Sequence, residues 1–209
     1  MISRRNLLTT LSAAVVVGPT RGARAMLAAN PSVPVVVPNH SVGAIVAAIA
    51  GKLASVTVDR SIDANRLVLA GSRHVEIAAR IRVKGSGVAA TRFLDDARNA
   101  TTAAANIRDA LILAAPQREA QLRLQHREWS RPFARRALRW TQALQRSSHR
   151  GARWADTYAR VYLLEWTGVI VDASAGPSPA SLAKLPAEPT SSTMAAYVSY
   201  IDELVRTMG

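Results

Sequence analysis

The chain contains no cysteine, which excludes disulfides, thiolate nucleophiles and thiolate metal sites in one stroke. Lysine is almost missing as well: Lys52, Lys84 and Lys184 are the full set, and arginine supplies the rest of the positive charge. Acidic residues are scarce, 14 against 27 basic ones, for a formal net charge of +13 over 209 residues. Aromatic residues make up 5% of the chain, so its core must rely on small side chains and close helix contact more than on rings. There is no Gly-x-Ser-x-Gly elbow, and the segment Ala50–Ser55 around Lys52 lacks the glycine spacing and the hydroxyl after lysine that a phosphate loop needs. These absences leave no enzyme signature, and a non-enzymatic role is expected. What the chain does have is 49% hydrophobic content, enough to build a packed domain.

The first residues read as an address. Ser3, Arg4, Arg5, Asn6, Leu7 and Leu8 open an apolar run that continues to Val17, followed by Gly18-Pro19 and the small-x-small site Ala23-Arg24-Ala25. That run is too short to span a bilayer core. It resembles a twin-arginine export signal covering residues 1–25, which implies a periplasmic protein; left uncleaved, the same segment would be an N-terminal anchor. Cleavage after Ala25 removes Arg4, Arg5, Arg21 and Arg24 and lowers the formal charge from +13 to +9.

Along the remaining chain, strand and helix signals alternate. Residues 31–40 hold β-branched residues between prolines, a buried-strand signal, and a helix is expected from Ser41 to Gly51. Residues 74–82 alternate Val75, Ile77, Ala79 and Ile81 with polar neighbours, as a half-exposed strand does. Asp95 and Asp96 read as cap groups of a helix that starts near Ala97 and presents Ala100, Ala104, Ile107 and Leu111 along one side. From Arg118 to Arg146 a long helix carries the apolar stripe Leu122, Trp129, Phe133, Ala137, Trp140 and Leu144, with Arg123, Arg127, Arg131, Arg135 and Arg139 stepping along another side. Pro132 falls inside it and predicts a kink, or a restart capped by Ser130. A helix over 154–167, a strand over 168–174, a helix started by Ser178-Pro179 and a last helix over 193–207 complete the pattern. The alternation favours an α/β fold with mainly parallel pairing.

The order of these segments resembles a known family. Phe93-Leu94-Asp95-Asp96 and the helix after it, with Asn99-Ala100 and Asn106-Ile107, are similar to the His-x-Trp-Leu-Asp-Pro turn and following helix of the zinc/manganese-type solute-binding proteins of ABC transporters. Tyr162 to Val171, Gly176 to Leu185, Ala70 to Ser86 and the terminal helix resemble further segments of that family in the same order. The resemblance implies two small α/β lobes, residues 26–116 and 149–209, joined by a Pro-kinked linking helix over 117–148. It also implies a monomer that carries zinc or manganese between the lobes to a permease in the inner membrane. The ligand positions depart from the pattern: Thr91 and Thr157 stand where the family has histidines, and Asp96 stands where it has proline. Blocks are missing between Gly87 and Thr91 and between Leu185 and Met194, the latter where the carboxylate ligand would lie. The chain is therefore read as a shortened, degenerate member with impaired, altered or absent metal binding.

Two histidines are candidate metal ligands. His40 follows the first strand, and His74 lies two residues before Glu76, which puts both side chains on one strand face. Two histidines without a third do not make a tight zinc site. His126 and His149 lie among arginines, where a solvated role is expected. An alternative reading starts from the ten arginines between Arg118 and Arg153, set against Glu119 and Glu128: a basic helix that binds nucleic acid or an anionic membrane surface. An exported protein has little access to nucleic acid, so no nucleic-acid partner is expected.

Overall fold

The structure is a computed structural model and describes residues 32–63, 65–78, 81, 92–155, 160–172 and 174–209. Residues 1–25, read from the sequence as an export signal, and the connector holding Thr91 lie outside the described residues, as does Thr157. Residues 32–209 form one compact unit of mixed α/β structure.

β1 (Val33–Val37) is a run of valines around Pro34, with Val35 and Val37 pointing into the core. Branched side chains fit a pleated surface and explain why this run extends. Helix α1 (His40–Ala50) follows, capped by the Asn39 side chain, which accepts from the Val42 amide at 2.9 Å. Gly51 takes a positive φ of 52° and ends the helix. β2 (Ala54–Val58) then pairs with β1 in parallel, so β1, α1 and β2 make a parallel crossover unit. β3 (Arg66–Leu69) pairs antiparallel with β1, and β4 (Arg73–Glu76) antiparallel with β3, in the order β2-β1-β3-β4.

This larger sheet corrects the expectation of mainly parallel pairing, because it is mixed. The link from β3 to β4 has only Ala70, Gly71 and Ser72, too short for anything but an antiparallel return. β4 also ends at Glu76, earlier than the alternation predicts. Ile77 and Ala78 turn inward as a bend, and the Asn65 carbonyl accepts from Ile77 at 2.8 Å.

Helix α2 (Ala97–Ala114) buries Ala97, Ala100, Ala103, Ala104, Ile107, Ala110 and Leu111. The small side chains let it lie close to its neighbours. Helix α3 (Glu119–Gln145) returns against it as a helical hairpin, 27 residues and about 40 Å long. Pro132 sits inside α3 without a restart, and the helix assignment runs through it. Ser130 does not cap; its hydroxyl donates to the Arg127 carbonyl at 3.3 Å. α3 buries Leu122, Phe133, Ala137, Trp140 and Leu144, most of the stripe expected of it, while Trp129 stays half-buried and stacks on Phe133 at 4.8 Å.

The C-terminal part is leaner than its sequence suggests. β5 (Arg153–Trp154) and β6 (Ile170–Val171) are two residues each and pair in parallel around α4 (Val161–Thr167). Trp154 thus belongs to a strand, where its carbonyl accepts from the Asp172 amide at 3.0 Å, and not to a helix starting there. The segment after Pro179 is a 3-10 turn over Ala180–Lys184, in place of the expected helix. The last helix, α5 (Met194–Met208), starts where expected, with the Thr193 hydroxyl accepting from the Ala196 amide at 3.2 Å.

α1 sits at the centre, in contact with β1, β2, α2, α3 and α5. Its Val42, Ile45, Val46 and Ile49 are fully buried, each worth roughly 1.5–3 kcal/mol relative to exposure. One connected cluster of buried residues extends from Val35 to Met208.

His126 is not a solvated residue among arginines. It lies half-buried between α2 and α3, with Nδ1 at 3.3 Å from Arg108 Nη1 and Nε2 buried without a hydrogen-bond partner among the described residues. Burial, and then the Arg108 charge, hold its pKa below the ordinary 6.5. The unfolded chain therefore takes up a proton near pH 6.5 that the folded chain refuses. The stability contributed by neutral His126 is present above that pH and is lost as pH falls toward the lowered folded value. Urea unfolding between about pH 7 and 5 should show a stability loss that His126→Gln makes shallower; an unchanged slope refutes the assignment.

Candidate functional site

The parallel β1–α1–β2 unit brings the C-terminal ends of two strands and the start of α1 to one edge of the molecule, the place where open α/β sheets take ligands. A cavity of about 420 Å³ lies there. Its wall comes from Pro38 and Asn39 after β1, Arg60 and Ile62 after β2, Arg92, and the loop Ala187–Thr190 ahead of α5.

Arg92 connects the cavity to a buried polar cluster. Asp95 is 3% exposed, in a 3-10 turn formed by Phe93, Leu94 and Asp95. Its carboxylate accepts from the Tyr200 hydroxyl at 2.5 Å, and its Oδ2 lies 3.3 Å from Arg160 Nη1 and 3.6 Å from Arg92 Nη1. Arg160 also donates to the Tyr200 oxygen at 3.2 Å and, through Nη2, to the Pro186 carbonyl at 2.8 Å. Tyr197, one turn before Tyr200 on α5, donates to the Leu94 carbonyl at 2.8 Å.

Asp95 is therefore not a cap group. That role belongs to Asp96 alone, which accepts from the Arg98 amide at 2.9 Å and is gripped by the Arg98 guanidinium. The reason is local: Phe93 and Leu94 both turn inward, and the tight turn carries the next side chain in with them.

Burial raises the Asp95 pKa above the usual carboxylate value, and the Tyr200 hydrogen bond and the two guanidinium groups offset part of that. Burial and the Asp95 charge hold Tyr200 protonated, so it acts as a donor. The cluster is Asp95, Arg92 and Arg160, one negative charge against two positive. This surplus repels a bare cation and suits an anionic or neutral guest.

His40, one of the two candidate ligands, is the first residue of α1, with Nδ1 at 3.0 Å from the Ser192 hydroxyl. The contact depends on Gly43, since a Cβ there would collide with the Ser192 side chain. His74, the other candidate, is exposed on β4, level with Val68 of β3. It borders a shallow hollow of about 360 Å³ shared with Glu76, Asn106 and Asp109. Among the described residues no group of three or more histidine, aspartate or glutamate side chains is placed to hold a metal, so neither histidine joins such a group. His149 packs edge-on against Trp154, with ring centroids 5.0 Å apart.

Sequence reasoning missed Arg92, Arg160 and Tyr200. The available hint was a carboxylate, Asp95, placed directly after two large apolar residues. Compared with known proteins, the chain matches no family model, no curated protein and no solved structure.

Removing the Asp95 charge leaves two half-buried guanidinium groups without their shared carboxylate. Asp95→Asn should destabilise the fold by about 3–5 kcal/mol, as loss of one partner of a buried pair does. Tyr200→Phe should cost about 1–3 kcal/mol. Urea unfolding measures both, and a neutral Asp95→Asn would show that the cluster does not hold the fold.

Proposed function

We propose that the protein is the periplasmic solute-binding component of a metal-ion ABC importer of the zinc/manganese type, with altered or impaired metal binding. The observation that carries the reading is the layout. A parallel strand–helix–strand unit comes first, then α2, then a helix of 27 residues, then a second, smaller parallel unit around α4. The segments that resemble the family fall in the same order on β4, on α2, on α4 with β6, on the turn after Pro179 and on α5, and in this reading α3 is the linking helix. In this reading the cavity beside Arg92 takes the part of the interlobe cleft.

The impaired-binding part rests on chemistry. Zinc needs three or four nitrogen, oxygen or sulfur ligands. The cleft has Arg60 and Arg92 on its wall and Arg160 beneath, with Glu188 as the acidic group of its lining. A divalent cation meets net repulsion there. In this reading the cargo is held weakly or has changed in kind, and delivery is to a permease in the inner membrane.

Two measurements separate the parts of the proposal. Titration of the purified protein with zinc, and with manganese, should show no submicromolar one-to-one binding by calorimetry; tight stoichiometric zinc uptake overturns the impaired-binding claim. For the location, replacing the arginine pair by lysine (R4K/R5K) should abolish recovery of the protein in the periplasmic fraction. Export that persists in this variant overturns the twin-arginine route, and a wild-type chain retained in the cytoplasm removes the carrier reading.

A further inference from the structure

The long helix α3 buries one side and leaves the other bare. Leu124, Arg127, Arg131, Arg135, Leu138 and Arg139 are all exposed on it. Leu124, Arg131 and Leu138 recur at seven-residue steps, so they line up over about 21 Å of the helix axis, with Arg127 and Arg135 beside them. The two leucines are 47% and 58% exposed. Glu128 is the single carboxylate within this stretch, and no ion pair among the described residues engages these four arginines. The nearby acids are committed elsewhere: Glu119 to Arg123, Asp109 to Arg108, Glu203 to Arg206, and Asp202 to the Trp140 indole. Arg135 and Arg139 also border a hollow of about 410 Å³ walled by Trp129, Phe133, Met194 and Val198.

We propose that this face of α3 rests on an anionic lipid bilayer as a peripheral contact. Near-surface cations are attracted to anionic lipid headgroups by charge. Leucines that interrupt a row of arginines are the pattern of a helix lying in the headgroup layer, where the apolar side chains reach the acyl boundary and the long cationic stems snorkel outward. No helix among the described residues is long and apolar enough to cross a membrane, so the contact is one of lying on the surface. A nucleic-acid backbone would satisfy the same arginines but has no use for Leu124 and Leu138 exposed in the row. The inference stands on the helix face alone and is independent of the carrier reading.

Vesicle flotation of the full chain tests it, with phosphatidylcholine vesicles prepared with and without phosphatidylglycerol. Residues 7–17 are themselves apolar, so each variant is read as a ratio to wild type. R131Q/R135Q should lower partitioning onto phosphatidylglycerol vesicles by about tenfold or more, from the loss of two near-surface cations. R131K/R135K should stay close to wild type, because a bilayer reads charge. L124S/L138S should lose several-fold at unchanged charge, and circular-dichroism melts check that each variant is folded. Equal flotation of wild type and R131Q/R135Q overturns the proposal. So does loss of binding in the lysine variant, an unaffected leucine variant, or retention on duplex DNA that follows the same arginines without vesicle binding.

Discussion

The buried carboxylate of Asp95 is the constraint on which the arrangement of this molecule depends. It is tied to Arg92 just ahead of α2, to Arg160 at the start of α4 and to Tyr200 on α5, and Arg160 carries the link on to the Pro186 carbonyl. One side chain thus gathers segments far apart in sequence. Ions taken out of water cost several kcal/mol each, so a cluster of this kind persists only when nearly every hydrogen-bonding position is filled. It adds specificity of placement more than net stability. Arg92 also forms part of the cavity wall.

Around that clamp, stability comes from α1. A helix apolar on all sides must be enclosed, and α1 is enclosed by β1 and β2 with α2, α3 and α5 about it. The helices that surround it approach closely because α2 presents alanine where another protein would present leucine or phenylalanine. The scarcity of aromatics is thus compensated by short distances between backbones. Four of the ten rings meet where α3 packs on α5, with Phe133 in contact with Trp129, Trp140 and Tyr197.

The distribution of charge fits a molecule with two distinct regions. Near the strand ends, arginines are drawn inward and surround a single carboxylate; along α3, Arg127, Arg131, Arg135 and Arg139 face outward and form no ion pair among the described residues. Net positive charge is common to both, and it disfavours a bare cation at the cleft as readily as it favours an anionic surface along the helix. The carrier reading and the membrane-contact reading use different arginines and do not depend on one another.

Much of the helical frame was legible in the residues. The valine run predicted β1, the 3.6-residue periodicity predicted α2 and α3, and Thr193 marked the start of α5, because amphipathic pattern and caps are local properties. β2 and β3 went unread, since four- and five-residue strands carry too little periodicity to stand out from loop. The mixed pairing followed from the short β3–β4 link, and the strand expected over 168–174 shrank to Ile170 and Val171, with two residues of β5 as its partner. Of the site, the end of β1 could be placed from the chain, but Asp95 reads as a cap in the sequence, and Arg160 and Tyr200 gave no sign. Periodicity, charge balance and the absence of cysteine belong to the sequence by itself. Which arginines go inside, and which carboxylate they surround, only the tertiary structure decided, because burial is set by what packs over a residue and not by its neighbours along the chain.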